Sequence, residues 1–406
     1  MAAWETKPLA EVCTIKPPKA EARAKLAGSD EVSFVPMEDL GIGVKYVAPT
    51  RARQLNEVAG SYTYFADGDV LLAKITPCFE NGKLGVARGL VNGVGFGSSE
   101  YVVLRPGPEL DAEFLYYFLS RPSFRENGAR TMTGAVGHKR VTKEFVAECR
   151  IPMAPLSEQQ RIVVVLDEAC EAAATAKANA ETNLRNAAGL YESALDIALS
   201  LHNGGYIDTT LGAEVDLLAG YAFSSKGYTA VDDGVRLLRG DNIMQGYLRW
   251  EDAKGWPADD VEPYARFALK DGDVVLAMDR PWVKAGLKRA QIGPSDLPCL
   301  LLQRTSRLRP GTRLRVDFLF HLVGSRMFSR HLLGVQTGIG VPHISGKQIE
   351  SFQFMLPPLV EQEAIAGRLD ELQQSTERLV AIYEQKAAAL DELKTSLLRH
   401  AFNGDL

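Results

Sequence analysis

Five cysteines in 406 residues are few, and Cys13, Cys78, Cys149, Cys170 and Cys299 are scattered without Cys-x-x-Cys spacing. That pattern excludes a disulfide framework or a cysteine zinc site and fits free thiols in a reducing cytoplasm. Six histidines form no His-x-x-x-His pair, so no histidine metal cluster is expected. No apolar run approaches the 18 residues of a membrane span, and Met1-Ala-Ala-Trp-Glu-Thr-Lys lacks a signal-peptide core. The expected location is therefore cytoplasmic.

Catalytic motifs are missing as well. Gly340 to Gly346-Lys347-Gln348 has the wrong spacing for a phosphate-binding loop and no hydroxyl after the lysine. Gly93-Val-Gly-Phe-Gly97 is followed by a strand pattern where a dinucleotide site needs a helix, so it reads as a turn. No Asn-Pro-Pro-aromatic motif of an adenine methyltransferase occurs. Glu384-x-Lys386, a nuclease-like fragment, falls within a helical pattern with no partner strand.

What is present is a unit written twice, and a long-period repeat decides the architecture. Leu156-Ser-Glu-Gln-Gln160 returns as Leu359-Val-Glu-Gln-Glu363, 203 residues later. Each opens an uninterrupted helical pattern that stops at Asn-Gly, 203–204 and 403–404. Ahead of each lies an anchored mixed α/β segment. Val32 to Leu40 matches Val235 to Ile243, and Asp67-Gly-Asp-Val-Leu-Leu72 matches Asp271-Gly-Asp-Val-Val-Leu276. The helix Asp111–Ser120 returns as Val316–Val323, the loop Thr133–Arg140 as Thr337–Ile344, and a last strand precedes each long helix. The fold class expected is α+β: two mixed α/β heads, residues 1–153 and 206–355, alternating with helical regions 154–205 and 356–406.

A spacing of four and three along the helical regions is a coiled-coil pattern. In the first it runs Ile162, Leu166, Ala169, Ala173, Ala176, Ala180, Asn183, Ala187, Leu190, Ala194, Ile197. In the second it runs Ile365, Leu369, Leu372, Thr376, Leu379, Tyr383, Lys386, Leu390, Leu393, Leu397. Small residues facing large ones predict that the two helices pair, antiparallel, with the heads at opposite ends. Ser157 and Gln160 read as a capping box, and Asn183 with Lys386 as a polar layer.

Net charge is -5, yet residues 280–330 hold eleven Arg and Lys against Asp296 and Asp317, a local +9. Residues 121–150 carry a local +4. Such patches attract a phosphate backbone. Two loops per head are the candidate DNA contacts: Lys74, Thr76, Phe79, Asn81 and Lys83 with Gly134, His138, Lys139 and Arg140 in the first. In the second they are Arg280, Trp282, Lys284, Lys288 and Arg289 with Gly338 and His343. Arg, Lys and Asn suit base edges, and glycine lets backbone approach phosphate.

Two variable heads alternating with two similar helices resemble the DNA-specificity subunit of a type I restriction–modification system, along the whole chain. The phrases Gly68-Asp-Val-Leu-Leu-Ala-Lys74, Leu356-Pro-Pro-Leu-Val-Glu-Gln362 and Lys394-Thr-Ser-Leu-Leu398 are similar to family phrases. The resemblance implies a target-recognition head for each half of a split DNA sequence, with the helix pair as ruler. It also implies docking of two methyltransferase subunits, whose S-adenosylmethionine chemistry acts on adenine, and restriction–translocase subunits; the chain itself would bind no cofactor and catalyse nothing. Alternatives are the equivalent subunit of a fused cleavage–methylation enzyme, a catalytic methyltransferase, or a coiled-coil scaffold with protein-binding heads.

Overall fold

A computed structural model describes residues 4–135, 137–200, 204–283, 286–335 and 343–406. The chain divides into two compact units, one of residues 1–181 with 385–406, the other of residues 182–384. Each long helix contributes to both: Leu156–Ser200 and Leu359–Asn403, 45 residues apiece and so about 65–70 Å long. Both start one residue after a proline, Pro155 and Pro358, whose carbonyls accept the amides of the first turn. Proline is favoured here because the helix needs no amide from it. Ser157 thus lies inside the first turn, and the expected capping box does not set the boundary.

In the first unit a five-stranded sheet runs in the order 13–15, 101–106, 70–73, 84–87, 46–47. Beside it a four-stranded sheet runs 51–54, 31–35, 94–97, 63–66. Val70–Ala73 is buried at every position, as a strand covered on both faces must be. The Gly93–Gly97 stretch is a turn only at its start. Val94–Gly97 is a strand whose glycines permit close packing: a Cβ on Gly95 would lie 2.2 Å from the Phe65 ring.

The second unit repeats the central sheet as 215–219, 305–310, 274–277, 289–291. It differs at the side, with a three-stranded sheet (254–257, 234–238, 299–301) and a small hairpin, Trp282–Val283 with Gly286–Leu287. An aromatic cluster of Tyr221, Phe223, Trp256 and Tyr264, with ring centroids 4.8–5.6 Å apart, closes that side.

Within the first unit the start of one long helix packs on the end of the other. Ile162, Val163 and Leu166 share a core with Leu398, Ala401 and Phe402, and Phe402 packs tilted against Phe114 and edge-on to Phe118 of the helix Ala112–Leu119. Lys177 pairs with Asp391 at 2.6 Å. In the second unit Leu199 joins Ile365 and Ala366 against the core under the helix Val316–Gly324. The helices run antiparallel in each.

Along each helix the buried row departs from the expected one. Ile162, Leu166, Ala180, Ala187 and Leu369 are buried, and Ala169, Ala173, Ala176, Ile365, Leu372, Tyr383, Leu390 and Leu397 half-buried. Leu190 is 50% exposed, Leu379 37% and Leu393 48%, while Tyr191, Leu195, Val380, Ala387, Lys394 and Leu398 turn inward. A straight α-helix repeats every 3.6 residues and drifts about 20° per heptad against a 3.5 pattern. Over the roughly four heptads from Ile162 to Leu190 and from Ile365 to Leu393 that drift reaches about 80°, most of the roughly 100° between successive residues. Asn183 and Lys386 are both exposed and form no buried layer.

Candidate nucleic-acid interface

The glutamine of the Pro-Leu-x-Glu-Gln phrase joins each head to its helix. Gln159 Oε1 accepts from the Asp111 amide at 2.8 Å, while Nε2 donates to the carbonyls of Glu109 at 2.9 Å and Ala154 at 2.8 Å. Gln362 repeats this with the Arg315 amide (2.8 Å), the Arg313 carbonyl (2.8 Å) and the Pro357 carbonyl (2.7 Å). Both side chains are fully buried, which fixes the head on the helix end through backbone groups that any head sequence supplies.

The aspartate of Gly-Asp-Val is a second repeated device. Asp69 receives Arg105 through two bonds of 2.7 and 2.8 Å, and Asp273 receives Arg309 with the same pair of distances. Each aspartate is about 1% exposed and also accepts a turn amide, from Ala66 or Lys270. A bidentate arginine suits such a carboxylate geometrically as well as electrostatically. The glycine before each aspartate takes positive φ, +87° at Gly68 and +83° at Gly272.

In the first head, the structure joins the two candidate loops. The Thr76 amide donates to the Lys139 carbonyl and the Val141 amide to the Lys74 carbonyl, both at 2.9 Å. Arg140 grips Glu100 with two bonds of 2.8 and 2.9 Å, which hold that carboxyl below its ordinary range. Lys74 Nζ donates to the Ser99 carbonyl, Lys83 to the Met37 carbonyl, and Thr76 to Glu80. Asn81, Gly134, His138 and Lys139 are exposed. Phe79 is not: it is fully buried against Phe124 and Gly128, and leaves the DNA-facing set.

In the second head Met278–Asp279 pairs with His343–Ile344, the Ile344 amide donating to the Met278 carbonyl at 2.9 Å. Asp279 meets both His343 and Arg304. Arg280, at φ +46°, turns the chain beside them. Lys288 Nζ donates to the Gly240 carbonyl at 3.2 Å. Trp282 is half-buried against the core of the head rather than presented to solvent. Lys284 and Gly338 lie outside the described residues.

The local +9 does not survive folding. Arg304, Arg307, Arg309, Arg313, Arg315 and Arg326 pair with Asp279, Asp216, Asp273, Glu214, Asp317 and Glu192. All of these acids but Asp317 come from outside residues 280–330. Arg289 is 5% exposed, its guanidinium 4.1 Å above the Phe320 ring, and burial pushes its pKa down. It too leaves the DNA-facing set. Besides the buried Arg289, Arg280, Lys288 and Arg330 are the cations of this stretch without an ion pair among the described residues.

A model of the type I restriction modification DNA specificity domain matches residues 1–182 and 263–385, three quarters of the chain. The chain belongs to that family. It is 28% identical to the EcoAI specificity subunit of Escherichia coli, over 98% of this chain and 82% of that one. With the MjaVIII specificity subunit of Methanocaldococcus jannaschii it shares 26% over 73% of this chain and 71% of the relative. It shares 40% with the Escherichia coli EcoEI subunit, over 39% of this chain and 26% of the relative. Two solved structures share the fold. The HsdS subunit of Thermoanaerobacter tengcongensis is similar at TM-score 0.65 and 19% identity, covering all of this chain and 97% of that one. A chain from a structural study of type I restriction–modification complex assembly is similar at TM-score 0.78 and 20% identity, covering all of this chain and 99% of that one.

The chain is a specificity subunit of a type I restriction–modification system, the component that recognises DNA and does not itself catalyse. The fused-enzyme alternative is not favoured. Such subunits work with methyltransferase and restriction subunits, and no described helix is long and apolar enough to cross a membrane.

In this specificity subunit, sequence reasoning found the Pro-Leu-x-Glu-Gln phrase but not what its glutamine does. It also missed a side-chain junction under each head. Tyr117 donates to Asp167, which receives Lys45 at 2.6 Å. In the second unit His321 holds Asp370, 3.0 Å from Nε2, and its Nδ1 lies 2.7 Å from the Tyr191 hydroxyl. Asp167 and Asp370 stand at the 203-residue offset of the glutamines, the signal that marks them as one repeated position.

Proposed function

We propose that the chain reads a split, non-palindromic DNA sequence, one half-site per head. Residues 1–153 and 206–355 are the target-recognition domains, and 154–205 and 356–406 the helical regions that set the unread gap. The helices dock two methyltransferase subunits, and restriction–translocase subunits complete the complex in the cytoplasm. One observation carries the reading. Both heads sit on the same glutamine clamp and the same arginine–aspartate latch, while their joined loops present different side chains. Asn81, His138 and Lys139 face solvent in one; Arg280, Lys288 and His343 line the other. A constant scaffold with differing polar loops is what two unlike half-sites require.

The test is a methylome. The chain is expressed with its neighbouring methyltransferase gene in a methylation-free host, and modified adenines are mapped by single-molecule sequencing. A split motif with a fixed gap, lost when this chain is omitted, is the expected result. Modification that persists without the chain, or an undivided motif, overturns the proposal.

A further inference from the structure

One groove of the first head gathers positive charge beyond the latch and the reading loops, sharing only Lys74 with the latter. It has a volume of about 320 Å³, at the small end for ligand sites. Lys16, Lys19, Lys74 and Lys143 line it, with Tyr62 and Tyr64, and no carboxylate does. The four lysines come from separate parts of the chain that the sheets bring together. Lys16 follows the strand Cys13–Ile15 at φ +61°, and Lys143 begins the short helix Lys143–Glu148.

Two acids that touch its lining are already engaged. Glu100 is held by both Arg140 and Lys74, and Glu21 by Arg105 and the Tyr64 hydroxyl. Lys19 donates to the Gly60 carbonyl at 2.8 Å, and its pKa lies below the usual lysine value through burial and the nearby Arg23 and Lys16. Lys16 and Lys143 are exposed and make no ion pair among the described residues. Lys16, Lys19 and Lys143 are thus crowded with no carboxylate on the groove wall, which costs free energy until an anion neutralises them.

The groove is continuous with the reading loops. Lys74 belongs to both, and its carbonyl accepts the Val141 amide one residue beyond Arg140. The second head lacks two of these charges: counting from the Gly-Asp-Val and helix-cap anchors, Met278 and Gly346 stand where the first has Lys74 and Lys143.

We infer that the Lys16–Lys19–Lys74–Lys143 groove holds the phosphodiester backbone of duplex DNA beside the half-site that the first head reads. This rests on the proposed DNA-reading function and adds to it a phosphate track confined to one head. Spread over an open groove, lysines act as point charges on successive phosphates, fixing position without reading sequence.

The test uses the full chain co-purified with its methyltransferase, and the double variant Lys16→Gln/Lys143→Gln, whose side chains are exposed. Fluorescence anisotropy follows a duplex carrying the methylome motif and a scrambled duplex of equal length, over a series of salt concentrations. Each lost phosphate contact lowers the slope of log affinity against log salt by about 0.9. The double variant is expected to lose about 1.8 of slope on both duplexes, with the target-to-scrambled ratio and thermal unfolding unchanged. A wild-type slope in the variant overturns the groove while leaving DNA reading intact. A loss confined to the target duplex also overturns it, since that is base reading. Tripolyphosphate binding lost in the variant with the DNA slope unmoved assigns the groove to small polyphosphates and overturns it. Wild-type complex that binds neither duplex overturns the groove and the function together.

Discussion

Replacing Gln159 by alanine removes three hydrogen bonds at once, of 2.8, 2.9 and 2.8 Å, from a side chain with no solvent exposure. A buried bond of this kind contributes about 1 kcal/mol net, and orphaning its partner costs about 1–3 kcal/mol. The Asp111 amide and Glu109 carbonyl are only partly buried, so water replaces some of what is lost, whereas the Ala154 carbonyl is enclosed. The expected local destabilisation is about 2–4 kcal/mol. Hydrogen exchange followed by mass spectrometry reads it directly: peptides covering 109–120 should exchange about 30- to 1000-fold faster, at 1.4 kcal/mol per tenfold. Peptides covering 313–324, on the Gln362 clamp, serve as the internal control. Gln159→Glu separates hydrogen bonding from packing. Its carboxylate can still accept from Asp111 but faces two carbonyl oxygens. It should therefore be worse than alanine at pH 8 and regain ground as acid protonates it, because the protonated form donates one bond. Exchange within threefold of wild type in Gln159→Ala would refute the clamp as the joint between head and helix.

Three further outcomes follow from named contacts. Burial holds His321 below its ordinary pKa although Asp370 pulls the other way; Arg289 opposes protonation and Asp317 favours it. The ring is thus neutral when folded, and the unfolded chain takes up the proton first as pH falls below about 6.5. Stability should drop from pH 7.5 to 5.5 more steeply in wild type than in His321→Gln, measured by denaturant midpoints; equal slopes would rule the junction out as a proton-linked site. Asp69→Asn replaces a buried carboxylate gripped by Arg105, whose side chain is 28% exposed. It should cost about 2 kcal/mol, less than the 3–5 kcal/mol of a fully buried pair, and a loss below 0.5 kcal/mol in chemical denaturation would show that the latch is ornamental. Arg280→Ala should weaken binding to the second half-site by about 1–3 kcal/mol if it reaches a base; unchanged affinity on duplexes altered in that half-site would remove Arg280 from the interface.

The repeat made the fold legible, because a phrase that must do the same job twice is written twice. Pro-Leu-x-Glu-Gln and Gly-Asp-Val return at offsets of 203 and 204, and in the structure they are the clamp and the latch. The helix rows were legible only while a 3.5 pattern tracks a 3.6 helix. By Leu190 and Leu393 the accumulated drift nears one residue and exposes both. Phe79 and Trp282 looked like contact aromatics, but an aromatic in a polar loop has no sequence mark that tells a surface residue from one folded under its own loop.

Charge was the least legible property, and the reason bears on how this family works. A window count sees Arg307, Arg309 and Arg313 but not Asp216, Asp273 and Glu214, which are near in space and distant in sequence. Those arginines hold the scaffold of the second head, and one is constant between heads: Arg309 answers Arg105 as Asp273 answers Asp69, while Arg307 and Arg313 stand where the first head has Val103 and Glu109. The cations proposed to meet DNA mostly lack such partners: Lys16, Lys19, Lys139 and Lys143 in the first head, with Lys74 shared by Glu100, and Arg280 and Lys288 in the second. They lie outside the clamp and the latch. On the proposed reading, a head can exchange them, and with them its half-site, without disturbing the bonds that seat it on the helix.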